Sequence, residues 1–228
     1  MKRLHCSLSI ALLVLTATVV WATPDLEERA ASALTVEESR LLLREAGTGS
    51  GAEARTVRGI IYHNLFRLGD PSALARADEE LSGLDSPVAV GYLGSVRTLQ
   101  GGVAVEGGNF LAATRLVMDG FDLIDDAVRR DPDSITLRFL RAENGLSVSE
   151  GSPFKRYDVV ARDVAYLMDH PALATGEDRA HVLYLSGMVH LAQGDLAAAI
   201  DLFSRTHRIA PESAWGREAA VYLWELEE

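Results

Sequence analysis

Apolar residues recur at intervals of three and four along nearly the whole chain, and no convincing stretch alternates apolar and polar residues. Such spacing places the apolar side chains on one face of an α-helix, whereas alternation would indicate a half-buried strand. The clearest stripe lies near the end of the sequence and is formed by Leu196, Ala199, Ile200, Phe203 and His207. Gly194 makes the turn before this helix and Pro211 ends it. The pattern predicts an all-α protein.

A second amphipathic helix precedes that turn, over residues 178–192, and carries Leu183 and Gly187 on the side that faces the next helix. Gly187 and Ala199 are small, so the two backbones can approach closely, and Phe203 fills the remaining gap. This pair resembles a tetratricopeptide repeat (TPR), a helical hairpin of about 34 residues that stacks on its neighbours. The resemblance implies a right-handed α-α superhelix with a groove for a ligand.

The same spacing predicts helical hairpins upstream. Leading helices begin near residues 52, 87, 134 and 177, and a trailing helix follows each of them. One hairpin cannot bury its own apolar stripe, so several hairpins must stack to be stable. The resemblance therefore implies a TPR-like solenoid of about four hairpins over residues 51–228.

Three segments depart from the regular hairpin. Residues 23–50 are predicted to form a linker and a short helix, which begins at a capping box of Thr35 and Glu38. The glycine-rich residues 100–108 are predicted to interrupt the helical pattern. The last helix is predicted to cap the stack, covering the final hairpin with Trp215, Ala219, Tyr222 and Leu226.

The first residues predict export. Lys2 and Arg3 precede an apolar run, and a small-x-small site ends at Ala22, so residues 1–22 read as a signal peptide cleaved after Ala22. Cys6 lies before the apolar run, where a lipoprotein cysteine would not be placed. We therefore expect a periplasmic or secreted protein that is not a lipoprotein. The alternative is an uncleaved anchor, but the run is shorter than the roughly 20 residues that span a bilayer.

Longer strings in the middle of the chain narrow the resemblance. The strings VGYLGSVRTLQ, LAATRLVMDGFDLIDDAVRRDPDSITLRFLRAENGLSV and SPFKRYDVVARDVAYLMD are similar to a loose group of exported bacterial TPR-type proteins. This likeness implies the fold and the compartment. It implies no particular chemistry.

The charge of the chain limits its partners. Acidic residues outnumber basic ones by 33 to 22, and the formal net charge is −11. Phosphate contacts require basic clusters, so the composition argues against nucleic acid and against an anionic membrane surface. We expect a basic or neutral protein or peptide as partner, with a membrane involved only through an uncleaved signal segment. The alternative is that the charge only maintains solubility.

No arrangement of residues indicates catalysis, a metal or a cofactor. No two histidines share a helical face at metal-ligand spacing, and the motifs of serine nucleophiles, phosphate loops and helical metalloproteases are absent. The acidic residues Asp125 and Asp126 precede Arg129 and Arg130 by four positions, a spacing that predicts surface ion pairs. We therefore predict a protein that is not an enzyme.

Two pairs of residues are candidates for ligand binding. Tyr184 and Met188 lie one turn apart on a leading helix, and the TPR pattern places them in the groove, where such adaptable side chains make good contacts. The alternative is that they pack on the preceding hairpin. Arg141 and Asn144 share a face of another leading helix and would suit a carboxylate or a backbone turn. The alternative for these two is an ion pair with a neighbouring helix.

These observations favour an exported non-catalytic scaffold or adaptor that binds a protein or peptide in a superhelical groove. A second hypothesis is an accessory component of an envelope transport system, partnered with a solute-binding protein or permease, whose own ligand would be small or lipidic. A third is an enzyme that lacks a recognisable motif.

Overall fold

The structure, a computed structural model, describes residues 25–33 and 35–227, so the predicted signal peptide lies outside the described residues. Within those ranges the chain forms eleven α-helices, a short 3-10 helix (Pro171–Leu173) and no strand, which confirms the all-α class. The helices are α1 (Leu26–Ala31), α2 (Val36–Ala46), α3 (Ala52–Arg67), α4 (Ala73–Leu81), α5 (Pro87–Glu106), α6 (Phe110–Arg130), α7 (Ile135–Gly151), α8 (Tyr157–Asp169), α9 (Gly176–Ala192), α10 (Leu196–Ile209) and α11 (Ala214–Glu227).

Side chains at the predicted boundaries start several of these helices. The four leading helices α3, α5, α7 and α9 begin within a residue of their predicted starts. Ser86 Oγ accepts the amide of Ala89 at the start of α5, where Pro87 supplies the first helical residue. Thr35 caps α2 in the same way by accepting the amide of Glu38 at 3.1 Å. Among the described residues, no helix is both long enough and apolar enough to cross a membrane.

Consecutive helices pack as hairpins, and the hairpins pack on one another. Each leading helix contacts its own trailing helix, in the pairs α3–α4, α5–α6, α7–α8 and α9–α10. Each trailing helix also contacts the next leading helix, and the leading helices contact one another in the order α3, α5, α7, α9 and then α11. The leading helices therefore form a continuous row along the domain.

Each leading helix has a glycine where its trailing helix crosses it, at Gly59, Gly94, Gly145 and Gly187. A Cβ atom at Gly187 would lie 2.6 Å from Phe203 Cε1, and one at Gly94 would lie 2.6 Å from the carbonyl oxygen of Gly120. These distances are well inside van der Waals contact, so a larger residue would force the helices apart. The predicted close approach at Gly187, filled by Phe203, is confirmed.

The glycine-rich segment does not interrupt the helices where the sequence predicted. Helix α5 continues through Gly101 and Gly102 and ends only at Glu106, and the turn is confined to Gly107 and Gly108. A Cβ atom at Gly101 would lie 2.8 Å from Val117 Cγ2 of α6. The glycine there serves close helix packing, which is why its presence does not end the helix. The α5–α6 hairpin is consequently the longest in the domain.

The buried face of α10 is rotated from the predicted stripe. Ala199 and Phe203 are fully buried, as predicted, but Leu196, Ile200 and His207 are exposed. Leu202 and Thr206 complete the buried face in their place. The reason is that α10 packs against both α9 and α11, so its buried surface turns toward the groove between those two helices.

The final helix covers the last hairpin with the predicted residues. Ala219 is fully buried, and Tyr222 and Leu226 pack against the same core cluster as Phe203. The Trp215 ring stacks on His181 of α9. Helix α11 therefore closes the C-terminal end of the core, although its outer face also exposes Val221 and Trp224.

Candidate functional site

The structure places Met188 in the core and Tyr184 at its edge. Met188 is only 5% exposed and lies in the cluster that contains Phe203. The Tyr184 ring is partly buried, with its centroid 5.9 Å from that of Phe203 and 5.5 Å from that of Trp215. Met188 is thus inaccessible to a ligand, which corrects the groove assignment and matches the packing alternative. Tyr184 retains a partly exposed ring.

Arg141 is fully engaged by neighbouring helices. Its Nε and Nη2 atoms lie 2.7 Å from the two carboxylate oxygens of Asp163, which is completely buried on α8. Its Nη1 atom lies 3.3 Å from Asp125 Oδ1 on α6. Arg138 also contacts Asp163, at 3.0 Å. A bidentate pair of this kind holds α7 to α8, so Arg141 is not free to bind a ligand carboxylate.

The acidic residues of α6 pair differently from the sequence prediction. Asp126 contacts Arg129 at 2.8 Å and Arg130 at 3.6 Å, so one predicted four-residue pair is present. Asp125 contacts Arg156 at 2.7 Å and not Arg129, because its carboxylate turns toward α7 and α8. Across residues 25–33 and 35–227, no three acidic, histidine or cysteine side chains converge in a way that would hold a metal ion.

A stack of three flat rings joins the last leading helices. The His181 ring lies between Phe139 of α7, at a centroid distance of 4.4 Å, and Trp215 of α11, at 3.8 Å. His181 Nε2 is 3.1 Å from Glu143 Oε1, and Arg67 Nη1 of α3 is 3.0 Å from the other carboxylate oxygen. Burial would raise the pKa of Glu143, but the His181 contact and the Arg67 charge outweigh it and lower that pKa to about 2. One carboxylate therefore ties α3, α7 and α9 together.

The sequence prediction missed this stack. Its one signal in the sequence is positional, since Phe139 and His181 each lie six residues before the glycine of their leading helix, Gly145 and Gly187. Equivalent positions in successive repeats stack above one another, so two flat side chains at one repeat position indicate a contact between them.

A series of buried hydrogen bonds runs from α1 to α5. Asn64 Nδ2 donates to the Ala30 carbonyl oxygen at 2.9 Å, which turns its Oδ1 toward His63 Nδ1, also at 2.9 Å. Burial, aided by the charge of Arg67, lowers the pKa of His63 to about 4, so the ring is neutral at neutral pH. Its single proton must then sit on Nδ1. His63 Nε2 is left to accept the Ser95 hydroxyl at 2.8 Å.

The series ends at Asn144 on α7. The Ser95 hydroxyl proton is directed to His63, and the Thr98 hydroxyl donates to the Ser95 carbonyl oxygen at 2.8 Å. Both hydroxyl oxygens can therefore only accept, and Asn144 Nδ2 donates to them at 3.2 Å and 2.6 Å. This fixes the orientation of the amide. Asn144 Oδ1 is left buried with no hydrogen-bond partner among the described residues.

Asn144 also lines a concave surface of the protein. This groove, which we call the α3–α5–α7 groove, has a volume of about 690 Å³. Its apolar lining comes from side chains near the ends of the three helices, among them Phe66, Leu99, Val103 and Val148. Its polar lining is formed by Thr98, Asn144, Ser147, Ser152 and Glu106. A surface of this size and composition suits a small molecule or a short stretch of peptide.

Of the four predicted binding residues, only Asn144 lies in this groove. A second concavity of about 270 Å³ lies between α8 and α9, and none of the four predicted residues lines it. No protein-family model, curated protein or solved structure matches the chain. The candidate site is thus defined by the geometry of the chain itself.

Proposed function

We propose that this protein is an exported, non-catalytic scaffold that binds a protein or peptide in the α3–α5–α7 groove. The proposal takes residues 1–22 to be a signal peptide and the hairpins to form a TPR-like right-handed superhelix. The observation that carries it is an apolar concavity on the row of leading helices, lined in part by Asn144, whose amide is held in one orientation by Ser95 and Thr98. Apolar walls with a few fixed polar groups are the usual composition of a ligand site.

The repeated contacts between hairpins support the superhelical arrangement. Each leading helix packs on its trailing helix through a glycine, and each trailing helix packs on the next leading helix. Stacking of this kind rotates each hairpin slightly against the last and produces a concave surface on one side. The leading helices, which contact one another in sequence, are the elements that line that surface in our proposal.

The shape of the groove favours a chain-like ligand over an enclosed lipid. Val103 and Val105, on its rim, are 47% and 48% exposed. A lipid or small solute is usually buried over most of its surface, which requires a closed pocket. An open apolar groove instead leaves room for a ligand that enters and leaves at its ends.

Affinity capture from an envelope extract, followed by mass spectrometry, tests the proposal. Two substitutions of Gly102 provide the test variant and its control. Gly102 lines the groove, and a Cβ atom there would meet nothing within 4 Å. Gly102→Trp should fill the groove without strain, and it should lose a partner that the wild-type protein and Gly102→Ala both capture. A partner retained by Gly102→Trp would place binding elsewhere. A lipid that co-purifies with the wild type, with no captured protein, would favour the transport hypothesis.

A further inference from the structure

We infer that the end of the α5–α6 hairpin docks into the surface of a phospholipid bilayer. We call this end the α5–α6 tip and define it as residues 107–114, which comprise the turn between the two helices and the first turn of α6. The inference goes beyond the proposed function, because the side chains that carry it, Phe110 and Leu111, do not line the α3–α5–α7 groove. It adds a membrane contact that the sequence alone did not predict.

The tip presents two apolar side chains to solvent. Phe110 and Leu111 are the most exposed large apolar residues in the described part of the chain, at 67% and 72%. They are the first two residues of α6. The Cα–Cβ bonds of a helix are tilted toward its N-terminus, so side chains in the first turn lean out beyond the end of the helix. Both side chains therefore project from the end of the hairpin.

The α5–α6 hairpin also extends past its neighbours. Helix α5 continues for 12 residues beyond Gly94, where α6 crosses it, whereas α3 continues for eight beyond Gly59 and α7 for six beyond Gly145. At about 1.5 Å per residue, these differences correspond to about 6 Å and about 9 Å of additional helix. The ends of α3 and α7 accordingly line the groove beside the last turns of α5. The tip is therefore a convex projection from the row of leading helices.

The turn itself does not require an uncharged tip. The α9–α10 hairpin turns in the same way, because Gly108 and Gly194 both have a positive φ, of 73° and 78°, and the next residue caps the following helix in both turns. That cap is Asp195 in the α9–α10 turn and the neutral Asn109 in the tip. Residues 107–114 include no charged residue, although charged residues make up 24% of the chain. An ionised group loses its water on entering a bilayer, so a bilayer accepts a surface without charges.

One cation is placed to meet the phosphate groups of the bilayer. Arg115 lies one turn after Leu111 on the same face of α6, is exposed, and forms no ion pair within the described residues. It lies about 7.5 Å behind Phe110 along the helix axis. Apolar side chains at a membrane interface are buried by about 5–10 Å, so Arg115 would then lie at the level of the headgroups. A guanidinium group complements their phosphate oxygens.

The acidic residues of the hairpin restrict how it docks and to which lipid. Asp119, the first acidic residue of α6, lies about 13.5 Å behind Phe110 along the helix and stays outside the interface. Glu106 precedes the tip and lines the α3–α5–α7 groove, so the hairpin must enter with its α6 side first. The net charge of −11 repels an anionic membrane surface at long range. The tip is therefore suited to zwitterionic phospholipid.

The size and shape of the tip favour a bilayer over a protein partner. A stable protein interface takes about 20–30 residues from each side, whereas the tip consists of eight. A fluid bilayer closes around a small convex projection, and phenylalanine and leucine are the residues that typically enter its interface. Two such side chains give a weak and reversible contact, because even a single acyl chain binds a membrane only marginally.

A fluorescent probe on the tip tests the docking directly. Cys6→Ser removes the one cysteine of the chain, so Leu111→Cys can carry an environment-sensitive dye such as NBD. The control carries the dye at Leu196→Cys, the first residue of α10, which is 49% exposed. With about 10 mM phosphatidylcholine in vesicles that contain a nitroxide-labelled lipid, we expect at least about twofold quenching at position 111 and none at position 196. Quenching that is absent at position 111, or equal at the two positions, would overturn the inference.

Co-sedimentation with unlabelled vesicles of the same lipid measures the contribution of each side chain. Phe110→Ser combined with Leu111→Ser should lower the partition coefficient at least about tenfold, because both side chains leave water on docking. Leu196→Ser combined with Ile200→Ser is the matched control, since both residues are exposed on α10, and it should leave partition unchanged. Arg115→Gln should lower partition about threefold. Circular dichroism of each variant checks that the helices remain.

Two further results would contradict the inference. Equal partition of the wild-type protein and the variant with serine at Phe110 and Leu111 would place the membrane contact elsewhere in the chain. A protein that the wild type captures from an envelope extract and this variant loses, without quenching at position 111, would assign the tip to a protein partner. A partner bound in the α3–α5–α7 groove should be captured by this variant as by the wild type, because neither residue lines the groove. The proposed function and this inference can therefore fail independently.

Discussion

At the scale of single residues, the orientation of a side chain on a leading helix decides whether it can bind a ligand. Helix α9 buries Val182, Leu183, Leu185, Met188 and Val189, which together point around most of its circumference. It does so because α7, α8, α10 and α11 all contact it. A helix surrounded in this way has no single apolar stripe, so spacing alone cannot tell a groove residue from a core residue.

Truncating Met188 should therefore affect stability. We expect Met188→Ala to lower the free energy of unfolding by about 2–5 kcal/mol, because it removes buried atoms and leaves a cavity. Met118, on α6, is 44% exposed and provides a matched control. Met118→Ala should change stability by less than about 0.5 kcal/mol. Urea denaturation measures both, and equal losses in the two variants would contradict the burial of Met188.

Asn144 and Arg141 show a second limit of sequence-based prediction. Asn144 lines the α3–α5–α7 groove, whereas Arg141, which was predicted to share its face of α7, does not. Arg141 lies one turn earlier, yet it reaches Asp163 on the other side of α7. The partners of a long charged side chain depend on which helices pack beside it, and no local pattern in the sequence specifies them.

At the scale of helices and hairpins, the sequence predicts boundaries better than faces. Helix starts are encoded locally by capping side chains and prolines: Thr35 caps α2 as predicted, and Ser86 and Asn109 cap α5 and α6 in the same way. The interruption predicted at residues 100–108 was wrong because glycine has two roles in helices. It can end one, and it can also allow a neighbouring helix to approach, as Gly101 does.

The hairpin of α9 and α10 should depend strongly on Phe203. Its side chain is completely buried, faces Gly187 and stacks on Tyr222 at a centroid distance of 5.2 Å. We expect Phe203→Ala to cost about 3–5 kcal/mol of unfolding free energy. Ile200 lies on the same helix and is exposed, so Ile200→Ala should cost less than about 1 kcal/mol. Thermal or chemical denaturation that ranks the two variants the other way would show that the packing face of α10 is misassigned.

At the scale of the whole molecule, long-range polar contacts join hairpins that are distant in sequence. Glu143 connects α3 with α7 and α9, and the hydrogen-bond series connects α1, α3, α5 and α7. The number of hairpins could be predicted from the periodicity of the sequence, because each repeat has the same local pattern. The polar contacts between hairpins could not be predicted in this way. Each joins residues that share no sequence pattern and that meet only once the hairpins have stacked.

Buried His63 should make the stability of the whole domain depend on pH. Its pKa is lowered from 6.5 in an exposed histidine to about 4 in the folded protein, so the unfolded chain binds the extra proton first. The contribution of His63 is thus fully present above pH 6.5 and is lost as the pH falls toward 4, by roughly 3 kcal/mol in total. The ionisation of Glu143 matters at lower pH, since its pKa falls from 4.5 to about 2.

Urea denaturation at several pH values between about 7 and about 4.5 measures this effect. Other groups titrate over the same range, so the comparison is with His63→Gln, which cannot gain the proton. The variant should be less stable at neutral pH but should lose less stability as the pH falls. Parallel pH profiles for the two proteins would show that His63 takes up its proton as readily in the folded state as in the unfolded one.

The hydrogen-bond series has one further consequence for the docking of α1. The Ala30 carbonyl can only accept, so the four hydrogen bonds from Asn144 back to α1 admit a single arrangement of protons. Hydrogen bonds linked in this way polarise one another, and each strengthens the next. A change in the Asn144 amide would therefore alter the hydrogen bonds of Ser95, His63 and Asn64 in turn. The docking of α1 thereby depends on a residue of α7, three hairpins further along the chain.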